Sequence, residues 1–465
     1  MSGFDDLDGD LADLDDTAAR DAADAVYVEL LSRIGEQAPE HRLDATRRAV
    51  ELLGDPHRAA PVIHLTGTNG KTTTARVIES LLRASGLRTG LLTSPHLERF
   101  TERIQVDGLP VADADVARIW DEIAPYVGIV DAELEAKGEA RLTFFEALTV
   151  LAFAVFADAP VDVVVLEVGM GGEWDSTNVA DGEVAVFTPI ALDHVPRLGT
   201  TIAEIARTKA GIIKPGASVV TAFQAPEALA VLSEVATATD ASLAIEGGAF
   251  AVLESTVAVG GQVVSVRGLA GEYRDVPLPL FGRYQADNAA LAIAAVESFL
   301  GGGTVPLADD VVQEGLAGAT SPGRLQRIAS EPTIIVDAAH NPHGAESLVA
   351  ALDEYFDFAE LVIVLGVLGD KDAEGIVRAL AATDARFLVT QSASDRAVPA
   401  ARLAQLVASV VGSERVQELD RLEDALEAAR DWAGEEPGRG VVVTGSITLV
   451  GDALAYAGDR GWGRA

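Results

Sequence analysis

Apolar runs alternate with amphipathic stretches along most of the chain. After a helical period over residues 22–53, PVIHL predicts a strand, TTTARVIESLLRASG a helix and TGLLT a second strand. Later runs such as VDVVVLEVG and VAVFTPI are almost wholly apolar, as expected for strands that are covered on both faces. The alternation predicts an α/β fold with a mostly parallel sheet of the P-loop type between two layers of helices.

The period changes twice in the second half of the chain. Over residues 243–279 it shifts toward strict alternation, which predicts a β-hairpin or meander. GGGTVPLADD then resembles a linker, and a smaller, Rossmann-like α/β pattern follows it. These changes predict an acidic mobile tail over 1–20, a large first domain over 21–302, a linker over 303–320 and a C-terminal domain over 321–465.

The charge balance excludes one class of partner. The chain has 72 Asp and Glu against 35 Lys and Arg, and its formal net charge is -37. Such a surface repels nucleic acid and anionic membranes, so we expect neither as a partner. High internal salt would screen this repulsion, and the composition therefore predicts a halophilic protein. Only five lysines occur, and each is a candidate for a specific role.

Composition also bears on localisation. No apolar run reaches the roughly 18–20 residues that span a bilayer, and the acidic start of the chain lacks the features of a secretory signal. Cysteine is absent, which excludes disulfides and thiolate metal sites. We therefore expect a cytoplasmic protein.

The segment VIHLTGTNGKTTTARVIESLL has the pattern of a phosphate cradle. Gly67 and Gly70 let backbone N–H groups approach phosphate oxygens at the start of a helix, and Lys71 can reach the β- and γ-phosphates. A full P-loop would need glycine where this chain has Leu65, so the cradle is a shortened one. The predicted nucleotide-binding residues here are Gly67, Thr68, Asn69, Gly70, Lys71, Thr72 and Thr73.

Polar residues follow two further strands at the edge where the cradle lies. Ser94 and His96 come just after one strand, Glu167 ends another, and Asp175 follows it. A carboxylate at a buried strand end is costly unless it meets a cation, and Mg²⁺ prefers oxygen ligands. The sequence thus predicts a magnesium site beside the cradle, with a threonine hydroxyl, that of Thr72 or Thr73, also facing the metal.

Six motifs in register resemble one known family. GTNGK, TSPHL with ERI, the glycine-rich segment after Glu167, LDHV with KAGIIKPG, DAAHNPHG and a final TGS occur in this order over roughly residues 40–455. Together they resemble the folylpolyglutamate synthase/dihydrofolate synthase family of the Mur ligase superfamily. The resemblance implies an ATP-binding first domain and a C-terminal glutamate-ligase domain. It also implies an ATP- and Mg²⁺-dependent ligase that joins L-glutamate to a pteroate or folate carboxylate through an acyl phosphate, in folate biosynthesis.

The resemblance assigns roles to individual residues. It implies that Ser94, Glu167 and His194 belong to a Mg²⁺ set, with Thr72 beside them, and that Lys209 carries a carbamate. Catalytic roles fall on Lys71, Lys209, His194 and Glu167. Nucleotide contacts in the second half of the chain are Asn288, Arg324 and Asp337. The substrate contacts implied are Thr143, Phe144, Phe145, Glu146, Asp175 and Ser176 for the pterin, and His340 and Ser446 for glutamate.

Two departures from the family pattern leave alternatives open. Thr72 and Thr73 stand where folate enzymes commonly have Gly-Ser or Gly-Thr, and Tyr284 stands where histidine is usual. The Lys-Thr pair is more like a cell-wall Mur ligase acting on a UDP-sugar peptide, although such ligases carry a substrate domain before the cradle. A nucleotide switch that ligates nothing is the alternative from another class. We expect a monomer that meets small-molecule substrates only.

Overall fold

An eight-stranded sheet organises the first part of the chain in the computed structural model, which describes residues 5–36 and 40–462, with side chains from residue 17 onward. Its strands are β1 (Val62–Thr66), β2 (Thr89–Leu92), β3 (Ile104–Val106), β4 (Leu109–Pro110), β5 (Val163–Glu167), β6 (Gly182–Phe187), β7 (Ser218–Thr221) and β8 (Ser242–Ile245). Their order is β4-β3-β2-β5-β1-β6-β7-β8. All pairs are parallel except those of β3 and β4, which form a hairpin at one edge.

Helices cover both faces of this sheet, because alternate residues of each strand point to opposite cores. Val163 and Val165 belong to one hydrophobic cluster, Val164 and Leu166 to the other. The helices of this part of the chain are α1 (Asp5–Leu31), α2 (Asp44–Leu52), α3 (Lys71–Ala84), α4 (Asp113–Ala136), α5 (Phe144–Asp158), α6 (Val195–Leu198), α7 (Ile202–Ala210), α8 (Pro226–Ala238), α9 (Arg283–Gly301) and α10 (Asp309–Ala317). α1, α2, α4 and α5 cover one face, and α3, α9 and α10 the other.

The predicted meander is confirmed as an antiparallel three-stranded sheet. It consists of β9 (Ala251–Ala258), β10 (Gly261–Arg267) and β11 (Glu272–Leu278), which pack toward α9 and α10. The fully buried Glu297 of α9 holds the loop between β10 and β11. Its carboxylate accepts the N–H of Leu269, that of Ala270 at 3.2 Å, that of Gly271 at 3.1 Å and the hydroxyl of Tyr273 at 2.6 Å.

Glu297→Ala is expected to lower the free energy of unfolding by about 3 kcal/mol or more, because it leaves several buried donors without an acceptor. Urea denaturation measures this difference. Glu314→Ala, at an exposed position of α10, is the control and should change stability by less than about 0.5 kcal/mol. Equal effects of the two changes would contradict the structural role assigned to Glu297.

A smaller, six-stranded sheet organises the C-terminal part. Its strands are β12 (Gln326–Ser330), β13 (Thr333–Asp337), β14 (Glu360–Leu365), β15 (Arg386–Val389), β16 (Val416–Glu418) and β17 (Arg439–Thr444), and its helices are α11 (Pro342–Tyr355), α12 (Ala373–Leu380), α13 (Ala400–Val411), α14 (Leu422–Glu435) and α15 (Ile447–Asp459). The order is β12-β13-β17-β14-β15-β16, parallel except for β12. α11, α12 and α13 cover one face, α14 and α15 the other. The predicted fold class is thereby confirmed.

Two predicted irregular segments contain helix. The linker over 303–320 includes α10, whose Val312 and Leu316 are fully buried and whose Gly315 carbonyl accepts the Ser80 hydroxyl of α3 at 2.8 Å. This segment therefore packs onto the first sheet, and the covalent connection between the two sheets is shorter than predicted. The tail over 1–20 is likewise helical from Asp5, because α1 runs on to Leu31 and packs on α4. Residues 1–4 lie outside the described residues.

No helix within residues 5–36 and 40–462 combines the length and the apolar character needed to cross a membrane.

Candidate active site

A tight turn between β1 and α3 carries the predicted phosphate loop. Gly70 has φ +87° and precedes the first residue of α3, so the chain enters the helix from a conformation that favours glycine. A Cβ on Gly67 would lie 1.8 Å from Thr188 Oγ1, so only glycine fits there. The amides at the start of α3 thus face the cleft, as an anion site requires.

Threonine hydroxyls fix the loop from both sides. Thr68 Oγ1 donates to the carbonyl of Ala191 at 3.1 Å and accepts the Ala191 N–H at 3.0 Å, which ties the loop to the segment after β6. Thr73 Oγ1 lies 2.6 Å from Ser321 Oγ, which ties α3 to the chain just before the C-terminal sheet. The loop is therefore held in place by its own side chains.

Two lysines meet at the carbonyl of Gly67. Lys71 Nζ donates to it at 3.3 Å and to the Thr68 carbonyl at 3.1 Å, and Lys209 Nζ donates to it at 2.6 Å. Burial lowers the pKa of Lys71, although Glu167 opposes this shift. Burial, reinforced by the Lys71 cation, lowers the pKa of Lys209 to about 7. The site therefore concentrates positive charge that a phosphate would neutralise.

A buried carboxylate lies beside these lysines at the end of β5. Glu167 is 1% exposed, and its oxygens accept the Thr72 hydroxyl at 3.0 Å and the Ser94 N–H at 3.3 Å. Burial raises the pKa of Glu167, while the charge of Lys71 acts against that rise. The structure thus brings together three of the four predicted metal ligands.

The donor set fits Mg²⁺. Glu167 supplies a carboxylate and Thr72 a hydroxyl, the hard oxygen ligands that this ion prefers. No guanidinium or ammonium group among the described residues forms an ion pair with the Glu167 carboxylate, so its charge is available to a metal cation. Among the described side chains no group of three or more His, Asp and Glu is arranged to hold a metal, so substrate or water oxygens would complete the coordination sphere.

His194, the fourth predicted ligand, lies on another wall of the same recess. It precedes α6 with φ +50°, and its ring lines the recess together with Lys71 and Lys209. Burial lowers the pKa of His194 to about 4, against the opposite effect of Asp193. The ring is therefore neutral at pH 7, the form that can bind a metal. None of its contacts reaches Glu167 or Ser94.

The predicted nucleotide contacts Asn288 and Asp337 differ in their surroundings. Asn288 on α9 lies against Gly70 of the phosphate loop, where an added Cβ would come within 2.6 Å of Asn288 Oδ1, and its Nδ2 donates to Gln285 Oε1 at 2.9 Å. Asp337 ends β13 and accepts two backbone N–H groups at 2.9 Å. Burial raises the pKa of Asp337, and the charge of Arg324 acts against that rise. Burial also raises the pKa of Tyr284, with Asp337 adding to the effect.

Direct hydrogen bonds join the two sheets across the cleft at Asn69. Asn341 Nδ2 donates to Asn69 Oδ1 at 3.1 Å, and Asn69 Nδ2 lies 2.9 Å from His343 Nδ1. Both partners belong to the DAAHNPHG segment, and Asn341 also caps α11. The C-terminal sheet thus closes directly over the phosphate loop.

Asp193 makes a second set of contacts across the cleft. Its carboxylate lies 3.1 Å from Lys371 Nζ and 3.7 Å from His340 Nε2, and it neighbours His194 on its own side. Burial acts to raise the pKa of Asp193, but the hydrogen bond from His340 and the charge of Lys371 outweigh it and hold this pKa far below its usual value. Sequence reasoning missed Asp193, Lys371 and the Asn69 pairing. The scarcity of lysine was the one signal that could have pointed to Lys371.

The predicted pterin contacts are mostly engaged within the fold. Thr143 and Glu146 form a reciprocal cap at the start of α5, and Phe144 is buried in the core. Asp175 caps the turn after it by accepting the Thr177 N–H, and the Ser176 hydroxyl pairs with that of Thr149. Phe145 alone among them is partly exposed, and it packs against Gly169 at the edge of the recess. Contact of these residues with a pterin stays a prediction.

Ser446 has a comparable structural role. It is 1% exposed, and its hydroxyl caps α15 by accepting the Leu449 N–H at 3.1 Å. His340, the other predicted glutamate contact, donates from Nδ1 to the Ala338 carbonyl at 2.9 Å, and its Nε2 lies 3.7 Å from the Asp193 carboxylate. His340 therefore faces the cleft, whereas Ser446 is buried at the start of α15.

The domains and the fold are those of a Mur ligase. Residues 65–296 match the Mur ligase middle domain, and residues 323–447 match the Mur ligase glutamate ligase domain. The chain belongs, within that class, to the dihydrofolate synthase/folylpolyglutamate synthase family. It is 45% identical over 450 residues to the dihydrofolate synthase/folylpolyglutamate synthase of Mycobacterium tuberculosis, covering 91% of this chain and 92% of that protein.

Solved structures agree with this assignment. The M. tuberculosis folylpolyglutamate synthase complexed with ADP superposes with a TM-score of 0.90 at 44% identity, over 95% of this chain and 99% of the other. E. coli FolC in complex with DHPP and ADP gives a TM-score of 0.81 at 30% identity, over 94% and 98%. The predictions of the family and of an ATP-dependent ligase are thereby confirmed.

Proposed function

We propose that this protein adds L-glutamate to the carboxylate of dihydropteroate, of a tetrahydrofolate or of both, with ATP and through an acyl phosphate. The observation that carries the proposal is the juxtaposition of the Lys71 loop with Lys371 and His340 of the other sheet. A ligase needs one side of its cleft to bind the nucleotide and the other side to bind the incoming amine. ADP in the M. tuberculosis relative and DHPP with ADP in the E. coli relative support a nucleotide site together with a second ligand site.

The side chains support a two-step reaction. A carboxylate is a poor electrophile, so an acceptor oxygen first attacks the γ-phosphorus and ADP leaves. Lys71 and the amides at the start of α3 would hold the transferred phosphoryl group and offset its charge. The neutral amine of glutamate then attacks the acyl carbon, phosphate leaves with the former carboxylate oxygen, and the nitrogen loses a proton.

A bound Mg²⁺ would neutralise phosphate charge, and Glu167, Thr72, Ser94 and His194 are the residues proposed to hold it. Thr72 and Ser94 already orient the Glu167 carboxylate in this structure. Closure of the C-terminal sheet through Asn69 and Asn341 would exclude water from the acyl phosphate.

Lys209 is proposed to carry a carbamate. Its amine is buried and its pKa of about 7 leaves much of it neutral near pH 7, the form that attacks CO₂. The carbamate would replace one of two neighbouring cations by an anion and relieve the repulsion between Lys71 and Lys209.

Three broader features complete the proposal. The acidic excess supports a halophilic protein, because screening by salt reduces the mutual repulsion of its carboxylates. The absence of cysteine from the sequence supports a cytoplasmic location. We also propose a monomer whose partners are ATP, L-glutamate and the pterin acid, without nucleic acid or membrane.

The test is ligation followed by mass spectrometry in high salt with ATP, Mg²⁺ and glutamate. Dihydropteroate, tetrahydrofolate and a UDP-sugar peptide are supplied separately as acceptors. Gain of one glutamate on dihydropteroate identifies the synthase activity, and serial gains on tetrahydrofolate identify polyglutamylation. Modification of the UDP-sugar peptide alone would favour a cell-wall ligase, and ATP hydrolysis that ignores every acceptor would contradict ligation.

A further inference from the structure

Two partly buried arginines, Arg76 and Arg324, have guanidinium groups that no hydrogen bond or ion pair with a described residue engages. Among the described arginine side chains that are at least partly buried, most bond a carboxylate or a carbonyl, and Arg430 stacks over a tryptophan ring. The partnered ones are Arg33, Arg42, Arg99, Arg103, Arg267, Arg415 and Arg439. Apart from Arg430, Arg76 and Arg324 are the members of that group that have neither a hydrogen bond nor an ion pair through the guanidinium, and Nε of Arg76 is buried without a partner.

Both arginines line one recess at the seam between the two sheets. Arg76 reaches it from α3, one turn after Thr72, and Arg324 reaches it from the segment before β12. The hydroxyl-bearing residues Thr72, Thr93 and Ser321 line the same recess. Ile447, the first residue of α15, also lines it, so a helix N-terminus adds positive potential to the two guanidinium groups.

The carboxylates near Arg76 are engaged elsewhere. Glu102 also lines the recess, but its oxygens accept three backbone N–H groups of residues 97–99 at 2.8–3.0 Å. Glu167 accepts Thr72 and Ser94, and Glu79 accepts Arg83 at 3.1 Å. In a chain with 72 acidic residues, two unpaired arginines facing one recess are therefore not explained by internal ion pairing.

We infer that Arg76 and Arg324 together bind an oxyanion of a substrate in this recess, with Arg76 as a binding residue beyond those the family resemblance assigned. The inference rests on the proposed ligase function. The chemistry recognised is a phosphate or carboxylate group, which fits the planar fork of a guanidinium. Thr72 belongs to both the recess and the phosphate loop, and this continuity favours a phosphate of ATP over a carboxylate of glutamate or of the pterin acid.

In the protein without ligand, the unpaired and partly buried Arg76 side chain should not contribute to stability. Removing a partly buried cation that lacks a partner relieves desolvation, so Arg76→Gln should leave the thermal unfolding midpoint unchanged or raise it. A merely structural arginine would have the opposite effect. The unfolding midpoint without ligand therefore separates a binding role from a structural one.

The test measures thermal shifts of Arg76→Gln with ADP, L-glutamate and dihydropteroate added separately, together with KM for each substrate. A rise of about 10-fold or more in the Kd or KM of one ligand is expected, with Arg76→Lys restoring part of it. An effect on ADP and ATP assigns the anion to the nucleotide, and an effect on one acid assigns it to that carboxylate. Arg327→Gln, at an exposed position of β12, is the charge-matched control.

Unchanged constants for all three ligands, or a lowered unfolding midpoint without ligand, would overturn the inference. Binding of ADP is measured without turnover, so the inference can fail while ligation succeeds. A wild-type protein that binds ADP through Arg76 but ligates no acceptor would instead overturn the proposed function and leave the oxyanion site standing.

Discussion

Lys71→Ala is expected to lower kcat/KM for ATP-dependent ligation by about 10³-fold or more, because the Lys71 ammonium donates to two carbonyls of the phosphate loop and lies where the phosphates would bind. Its ammonium is poised over Gly67 and Thr68 and would follow the γ-phosphoryl group in the transition state. The Lys71 charge would stabilise the transition state more than the bound substrate, so its removal lowers kcat in addition to weakening substrate binding. Initial rates of ligation at saturating acceptor measure the change.

The control for this change is Lys137→Ala, at an exposed position after α4. It should leave ligation within about twofold, since its effect on long-range charge is screened in high salt. Lys71 also lowers the pKa of Lys209, so Lys71→Ala should shift any pH dependence due to Lys209 to higher pH. Ligation at the wild-type rate by a folded Lys71→Ala protein would contradict the assignment of the site.

The strand–turn–helix unit was predictable because its signals are local. An apolar run, two glycines and a helical period define β1, the loop and α3 without reference to distant residues. Glu167 was predictable for a related reason: a carboxylate that ends a buried strand needs a compensating partner. Parallel topology then places both strand ends at one edge of the sheet.

Contacts across the cleft were not predictable from pattern. Asp193 and Lys371 are 178 residues apart, and nothing in either neighbourhood specifies the other. The same limit applied to α10. Glycine and proline residues in this segment suggested a linker, but Val312 and Leu316 of α10 are buried because the helix packs on α3. Tertiary packing determined these features, and a local pattern does not contain it.

The acceptor positions show a different limit. Thr143, Glu146 and Asp175 are the residue types expected in a polar binding pocket, yet the same types cap helices and turns. A sequence match does not distinguish a cap from a ligand contact. Phe145, with its exposed edge beside Gly169, is the position among them that the geometry favours for direct contact.

Lys209→Ala is expected to lower ligation by about 10²-fold or more, since the variant loses both the amine and any carbamate formed on it. Two explanations predict this loss. A structural amine acts through its 2.6 Å hydrogen bond to the Gly67 carbonyl, whereas a carbamate acts as an anion beside Lys71. Added formate or acetate should restore part of the activity if the anion is required, and added methylammonium should do so if the amine is required.

The pH dependence distinguishes the same explanations without mutation. Because burial lowers the pKa of Lys209 to about 7, protonation is lost as pH rises through that value, and only the neutral amine combines with CO₂. Carbamate formation, and with it the rate at limiting CO₂, should therefore rise between about pH 6 and about pH 8 and level off above. The stability of the fold changes with pH in the same direction. A lysine in the unfolded chain keeps its proton to higher pH than the buried Lys209 does. Burial of Lys209 therefore lowers the free energy of unfolding fully below about pH 7, and progressively less as the pH rises toward the pKa of an unfolded lysine. A rate that is independent of added bicarbonate across this range, in the wild-type protein, would contradict the carbamate and leave Lys209 as a tether for the phosphate loop.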